Sequence, residues 1–157
     1  MKLPNIYKEF RSELKKDIYS LGGMNIKLFN ESDIEFEQKN SAIGDGSVKF
    51  SNINKWKPSY LIIAAGAFNE PHFVDTDEVN PSVHLVLPHN GIWGRSCICN
   101  SLIDYRKTLI HIDKLEMALL KDPDNHDIIE QTFKEIRIIN KNTDLEYWEV
   151  WYAEVTL

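Results

Sequence analysis

The run Tyr60-Leu-Ile-Ile-Ala64 constrains the architecture of this chain more than any other segment. It is continuous in apolar character and has the length of a strand. Apolar residues on both alternating faces need cover on both sides, so the run predicts a central strand in a sheet with other layers against it. Even the longest apolar stretch, Leu61 to Ala65 with Ala67 and Phe68, is far shorter than a bilayer crossing demands.

The neighbours of this run also read as sheet. Met24, Ile26 and Leu28 alternate as a short strand, and Phe73-Val74 continues after a turn at Glu70-Pro71. Asn80-Pro81 is a further turn, after which Val83, Leu85 and Leu87 alternate. Pro88 to Gly91 is a strong turn signal, and Ser96 to Cys99 can return as the partner of a hairpin. Gly44-Asp45-Gly46 marks another turn, ahead of Val48 and Phe50.

Helical spacing frames this sheet. Ile6, Phe10, Leu14, Ile18 and Leu21 predict one long N-terminal helix, capped by Asn5 and ended by Gly22-Gly23. Between Asn30 and Asn40, Glu31, Asp33, Glu35 and Glu37 fit an acidic strand face, whereas Ser32 with Glu35 fits a capping box. Helix is slightly favoured, because Glu is depleted in strands. Ser101 is placed to cap a helix with Leu102, Tyr105, Leu109 and Ile112 as its stripe. Pro123 interrupts it, and Ile129, Phe133 and Ile136 mark the next. Leu145, Trp148, Tyr152 and Val155 lean towards a last helix, although the residue types also suit a strand. The expected class is α+β: an N-terminal helix, a central mixed and mostly antiparallel sheet, and C-terminal helices packed on it.

With 157 residues the chain is expected to be one domain, 1–157, with a core at about 56–109 and an extension at about 113–157. Residues 1–60 hold ten Lys/Arg against eight Asp/Glu, and residues 61–157 hold eight against sixteen, giving +2 and −8. The acidic part argues against a nucleic-acid partner and for a basic protein partner, or else serves as a solubilising surface. No signal-peptide pattern opens the sequence, and the two cysteines, Cys97 and Cys99, are too close along a strand to bridge. Both point to the cytoplasm, with no membrane association.

The segment from Trp56 to Leu109 resembles the SUKH superfamily, which includes yeast cell-wall-assembly regulators and bacterial immunity proteins. The residues that carry the likeness are Trp56-Lys-Pro-Ser-Tyr-Leu-Ile-Ile-Ala, Phe73-Val-Asp75-Thr76, Pro81-Ser-Val-His84, His89-Asn-Gly91-Ile-Trp93 and Ser101-Leu102-Ile-Asp-Tyr105. They cover about a third of the chain. A Gly-rich turn ending in Gly-Asp is usual in the family, but here the turn is Ala65-Gly66-Ala67-Phe68-Asn69-Glu70, in which Gly66 alone has unrestricted φ. The resemblance implies a mixed sheet packed against helices, no catalytic machinery and a protein-binding role. In bacterial members that role is neutralising a toxin, often a nuclease, of a polymorphic toxin system.

The candidate partner-binding residues are Glu70, Asp75, Asp77, Glu78 and Trp93. The carboxylates follow a strand and would face Lys/Arg of a partner, or merely cap loop amides. Trp93, beside Arg95, would be a binding anchor or would cover the sheet end. His72, His84, His89, Cys97 and Cys99 match no common zinc spacing, and no phosphate loop or serine elbow occurs, so no catalytic residue, metal or cofactor is expected. Tyr147, Trp148, Trp151 and Tyr152 would pack inward or form a dimer or partner surface, leaving monomer and weak homodimer open. Two other functions stay in view. One is an intracellular regulatory or scaffold module of the same fold; the other is an enzyme or ligand-binding protein built on His72, His84 and Asp75–Glu78.

Overall fold

The computed structural model describes residues 3–38, 56–89 and 92–157, with Leu87–His89, Ile92 and Trp93 described in backbone only. The expected strand Tyr60–Ala64 is β3 (Tyr60–Gly66), and it lies inside a six-stranded sheet whose spatial order follows the sequence. The strands are β1 (Ile18–Leu21), β2 (Met24–Leu28), β3, β4 (Pro71–Asp75), β5 (Val83–His89) and β6 (Ile92–Cys99). Each of the five pairings is antiparallel, so the parallel pair of a mixed sheet is not found among the described strands. Short links suffice for such a meander, because antiparallel neighbours need no crossover.

The described helices are α1 (Asn5–Ser12), α2 (Glu31–Glu37), α3 (Leu102–Lys121), α4 (His126–Ile139) and α5 (Glu146–Thr156). The class is α+β, with α3, α4 and α5 forming the C-terminal layer on the sheet. Among the described residues no helix is long and apolar enough to cross a membrane.

The long N-terminal helix is the main correction. α1 stops at Ser12, Pro4 rather than Asn5 precedes it, and Ile18–Leu21 is a strand. Strand burial alternates here, with Tyr19 and Leu21 buried and Ile18 53% exposed. Ile18 and Leu21 therefore share a helical spacing without sharing a buried face. Gly22-Gly23 does not end a helix but links β1 to β2, pairing Leu21 with Met24. Gly22 has φ +59°, which a hairpin link accepts from glycine at little cost.

The helix option at Asn30–Asn40 is the one taken. Its cap is built two residues earlier than the Ser32/Glu35 pattern: the Asn30 side chain accepts the Asp33 amide at 2.9 Å, and Asp33 accepts the Asn30 amide. Gln38 then reaches β3 beyond the end of its pairing with β2, donating to the Tyr60 carbonyl and accepting the Ile62 amide. The turns expected at 44–46 and the strand at Val48–Phe50 lie outside the described residues. Of the turn expected at Pro88–Gly91, Pro88 and His89 are in β5, and Asn90 and Gly91 lie outside the described residues.

The C-terminal layer follows the expected pattern. Ser101 accepts the Asp104 amide at 3.0 Å, and Leu102, Tyr105, Leu109 and Ile112 are buried. Ile129, Phe133 and Ile136 are buried in α4. Trp148 and Trp151 are wholly buried in α5, and the Trp148 indole donates to the Ile98 carbonyl at 2.8 Å. Tyr152 packs on Phe133 and bonds Glu130, so Trp148 and Trp151 fill the core while Tyr147 and Tyr152 are half-buried against it.

An alanine Cβ at Gly22 would meet the Glu154 backbone carbonyl at 3.3 Å in a left-handed conformation, whereas one at Gly23 meets only the Glu154 carboxylate tip. Gly22→Ala should lower unfolding free energy by about 1 kcal/mol and Gly23→Ala by less than about 0.5, measured by urea titration.

Candidate functional site

Of the five residues singled out from the sequence, Glu70 and Asp75 are turned away from solvent and Asp77 and Glu78 are exposed. Glu70 turns inward at the start of β4, where its carboxylate accepts the Phe68 amide at 2.9 Å and the Tyr147 hydroxyl at 3.2 Å. Asp75 is buried at the end of β4, accepting the Asp77 amide at 3.0 Å and lying 3.5 Å from the Lys57 ammonium. Burial raises its pKa, but Ser59, the Asp77 amide and Lys57 outweigh that and hold it below the ordinary value. Asp77 and Glu78 are exposed in the β4–β5 loop. Trp93 lies in β6 opposite Pro88, inside a strand and not in a turn.

Gly66 explains the inward turn of Glu70. A Cβ on Gly66 would lie 1.7 Å from Glu70 Oε1, so the carboxylate occupies the space that any larger residue would fill. The freedom Gly66 supplies is room, not φ. The left-handed residue of this turn is Asn69, at φ 59°. Asn tolerates that conformation better than most residues.

A buried polar chain starts from that carboxylate. His72 has no exposure, its Nδ1 lies 2.7 Å from the Tyr105 hydroxyl and its Nε2 lies 3.1 Å from the Tyr147 hydroxyl. One arrangement of protons satisfies all four groups: Tyr105 O–H donates to Nδ1, Nε2–H donates to the Tyr147 oxygen, and Tyr147 O–H donates to Glu70. Burial lowers the His72 pKa despite Glu70, 3.9 Å away, which favours the neutral ring. For Glu70, burial acts upward, but the His72 ring and the local backbone amides bring it below the usual carboxylate value. The chain ties β4 to α3 and α5.

His84 stands on the other face of the sheet, since Phe73 pairs with it and stacks on its ring at 5.5 Å while His72 alternates away. The two histidines therefore do not converge, and among the described residues no group of three His, Cys, Asp or Glu is placed to hold a metal.

The sequence reading missed a hollow of about 120 Å³ between α1 and the start of α3. Pockets for drug-sized ligands are typically about 300–1,000 Å³, so this one has the scale of a single side chain. Ile6, Glu9, Asn80, Ser101, Ile103 and Arg106 are among its lining residues, and none belongs to the His72 chain. It joins residues nearly 100 positions apart, and no local pattern could reveal it.

No family model, curated protein or solved structure matches this chain. The His72 chain holds the layers together, while the hollow and the β4–β5 loop face solvent.

Two measurements check this assignment. Gly66→Ala should cost about 1–3 kcal/mol, and clearly less in a Glu70→Ala background, because the clash is with that side chain. A His72 ring kept neutral means the folded chain binds fewer protons than the unfolded chain below the ordinary value of 6.5. Stability should be full above that pH and decline as pH falls, by at most about 1.4 kcal/mol per unit from this group. In His72→Gln the decline should be shallower, with the like-signed contributions of His84 and His111 remaining.

Proposed function

We infer that this chain is a non-catalytic protein-binding module of the SUKH type, acting as one domain, that neutralises a toxin domain by direct contact. The observation that carries the reading is how its reactive side chains are used. His72, Glu70 and Asp75 are consumed by internal hydrogen bonds, while the groups turned to solvent are loop carboxylates beside apolar residues. Val79, between Glu78 and Asn80, is 86% exposed. Exposed apolar groups rimmed by charge suit a protein interface better than a reaction centre.

Two further points support it. The Trp56–Leu109 residues that resemble the superfamily fall on β3 to β6 and the first half of α3, the part of the fold that carries the β4–β5 loop. The net −8 of residues 61–157 would attract a basic toxin domain, such as a nuclease that must itself bind phosphate. Both cysteines are free thiols, in keeping with a cytoplasmic site of action.

Co-expression with a toxin domain encoded beside its gene tests the reading. A stable complex and protection of the host cell are expected, with an association rate that falls as salt rises from about 50 to 500 mM. A chain that neither binds that domain nor protects cells from it is not an immunity protein for it, and a salt-independent rate would remove the electrostatic part.

A further inference from the structure

The hollow and the β4–β5 loop are joined by bonds, not by proximity alone. The Ser82 amide donates to the Glu78 carboxylate at 3.4 Å, and the Ser82 hydroxyl donates to the Asn100 carbonyl at 3.2 Å. Ser101, the next residue, caps α3 and lines the hollow, and Asn80 lines it too. Glu78 and Val79 immediately precede the lining residue Asn80, and these two bonds tie their loop to the start of α3.

The chemistry of this surface is uneven in a useful way. Ile103, 47% exposed, and Ile6 supply apolar wall. Arg106, the cation at the rim, is engaged by Glu13 at 3.4 Å. Asp77, Glu78 and Glu9 have no ion pair among the described residues, although each is exposed. Glu9 thus lines a largely apolar hollow of one-side-chain size without a cation, and Asp77 and Glu78 lack one in the loop that runs into the lining residue Asn80.

We propose that this rimmed hollow is the docking surface for the partner, which inserts one apolar side chain between α1 and α3 and sets Lys or Arg against Asp77, Glu78 and Glu9. The occupant follows from charge complementarity: a basic protein surface supplies the missing cations, and a buried anchor supplies the residence time. The opposite end of α3, about 30 Å away along its 20 residues, carries Asp122 and Asp124 and takes no part. This inference rests on the toxin-binding reading above and adds the place and the anchor.

The full chain and the toxin domain encoded beside its gene are mixed and followed by surface plasmon resonance. Asp77→Lys/Glu78→Lys should slow association roughly tenfold at low salt, and Ile103→Glu should speed dissociation by a similar factor. Asp122→Lys/Asp124→Lys makes the same change in net charge elsewhere and should alter Kd less than about threefold. Circular dichroism confirms that all three variants fold, as expected for substitutions at exposed positions. Wild-type binding by the first two variants, or equal weakening by the third, overturns the surface while leaving the toxin reading intact. Failure of the wild-type chain to bind removes both. A homodimer of the chain alone that Ile103→Glu abolishes would assign the hollow to a second copy and overturn the proposed occupant.

Discussion

A histidine ring shut off from water and bonded at both nitrogens decides how the C-terminal layer sits on the sheet. Moving a polar ring into such a place costs several kcal/mol unless its bonds are replaced, and an incomplete set is worse than an apolar core. Here Tyr105 and Tyr147 complete the set from two different helices, and Glu70 closes the chain from the β3–β4 turn. The placement of β4, α3 and α5 seen here satisfies all four groups together. The apolar stripes of those helices supply attraction but no such register. Phe10 stacked on Tyr105 at 5.8 Å carries the same constraint to α1.

What could be read from the sequence followed the reach of each signal. β3 was evident because continuous apolar character over a strand length has few alternatives. α3 and α4 were evident because buried stripes and Ser101 agree. The N-terminal helix was overextended for a reason that recurs in short elements. Leu14, Ile18 and Leu21 keep helical spacing by coincidence, while the pair Tyr19 and Leu21 carries the actual burial. Gly22-Gly23 is equally good as a helix stop and as a hairpin link, and only pairing with β2 separates the two.

The candidate site was less accessible still. Asp77 and Glu78 were found because exposed loop carboxylates follow a strand in any reading of the sequence. Glu70 looked the same in composition, yet it points the other way, because Gly66 leaves it room and Tyr147 offers it a donor. Nothing local distinguishes an inward carboxylate from an outward one. His72 likewise differs from His84 only by strand alternation and by what lies above each face.

The contact between Gly22 and the backbone of Glu154 has a consequence for how the chain folds as it is made. The meander can zip up strand by strand during synthesis, since every strand pairs with its neighbour in sequence. The first hairpin, however, is completed on one side by α5, more than 130 residues later. Until that helix has left the ribosome, the link between β1 and β2 and the buried end of the sheet remain open to water and to other chains. The closure of this hairpin therefore waits for α5, and a chain interrupted before it would present an unfinished core to the cell's quality control.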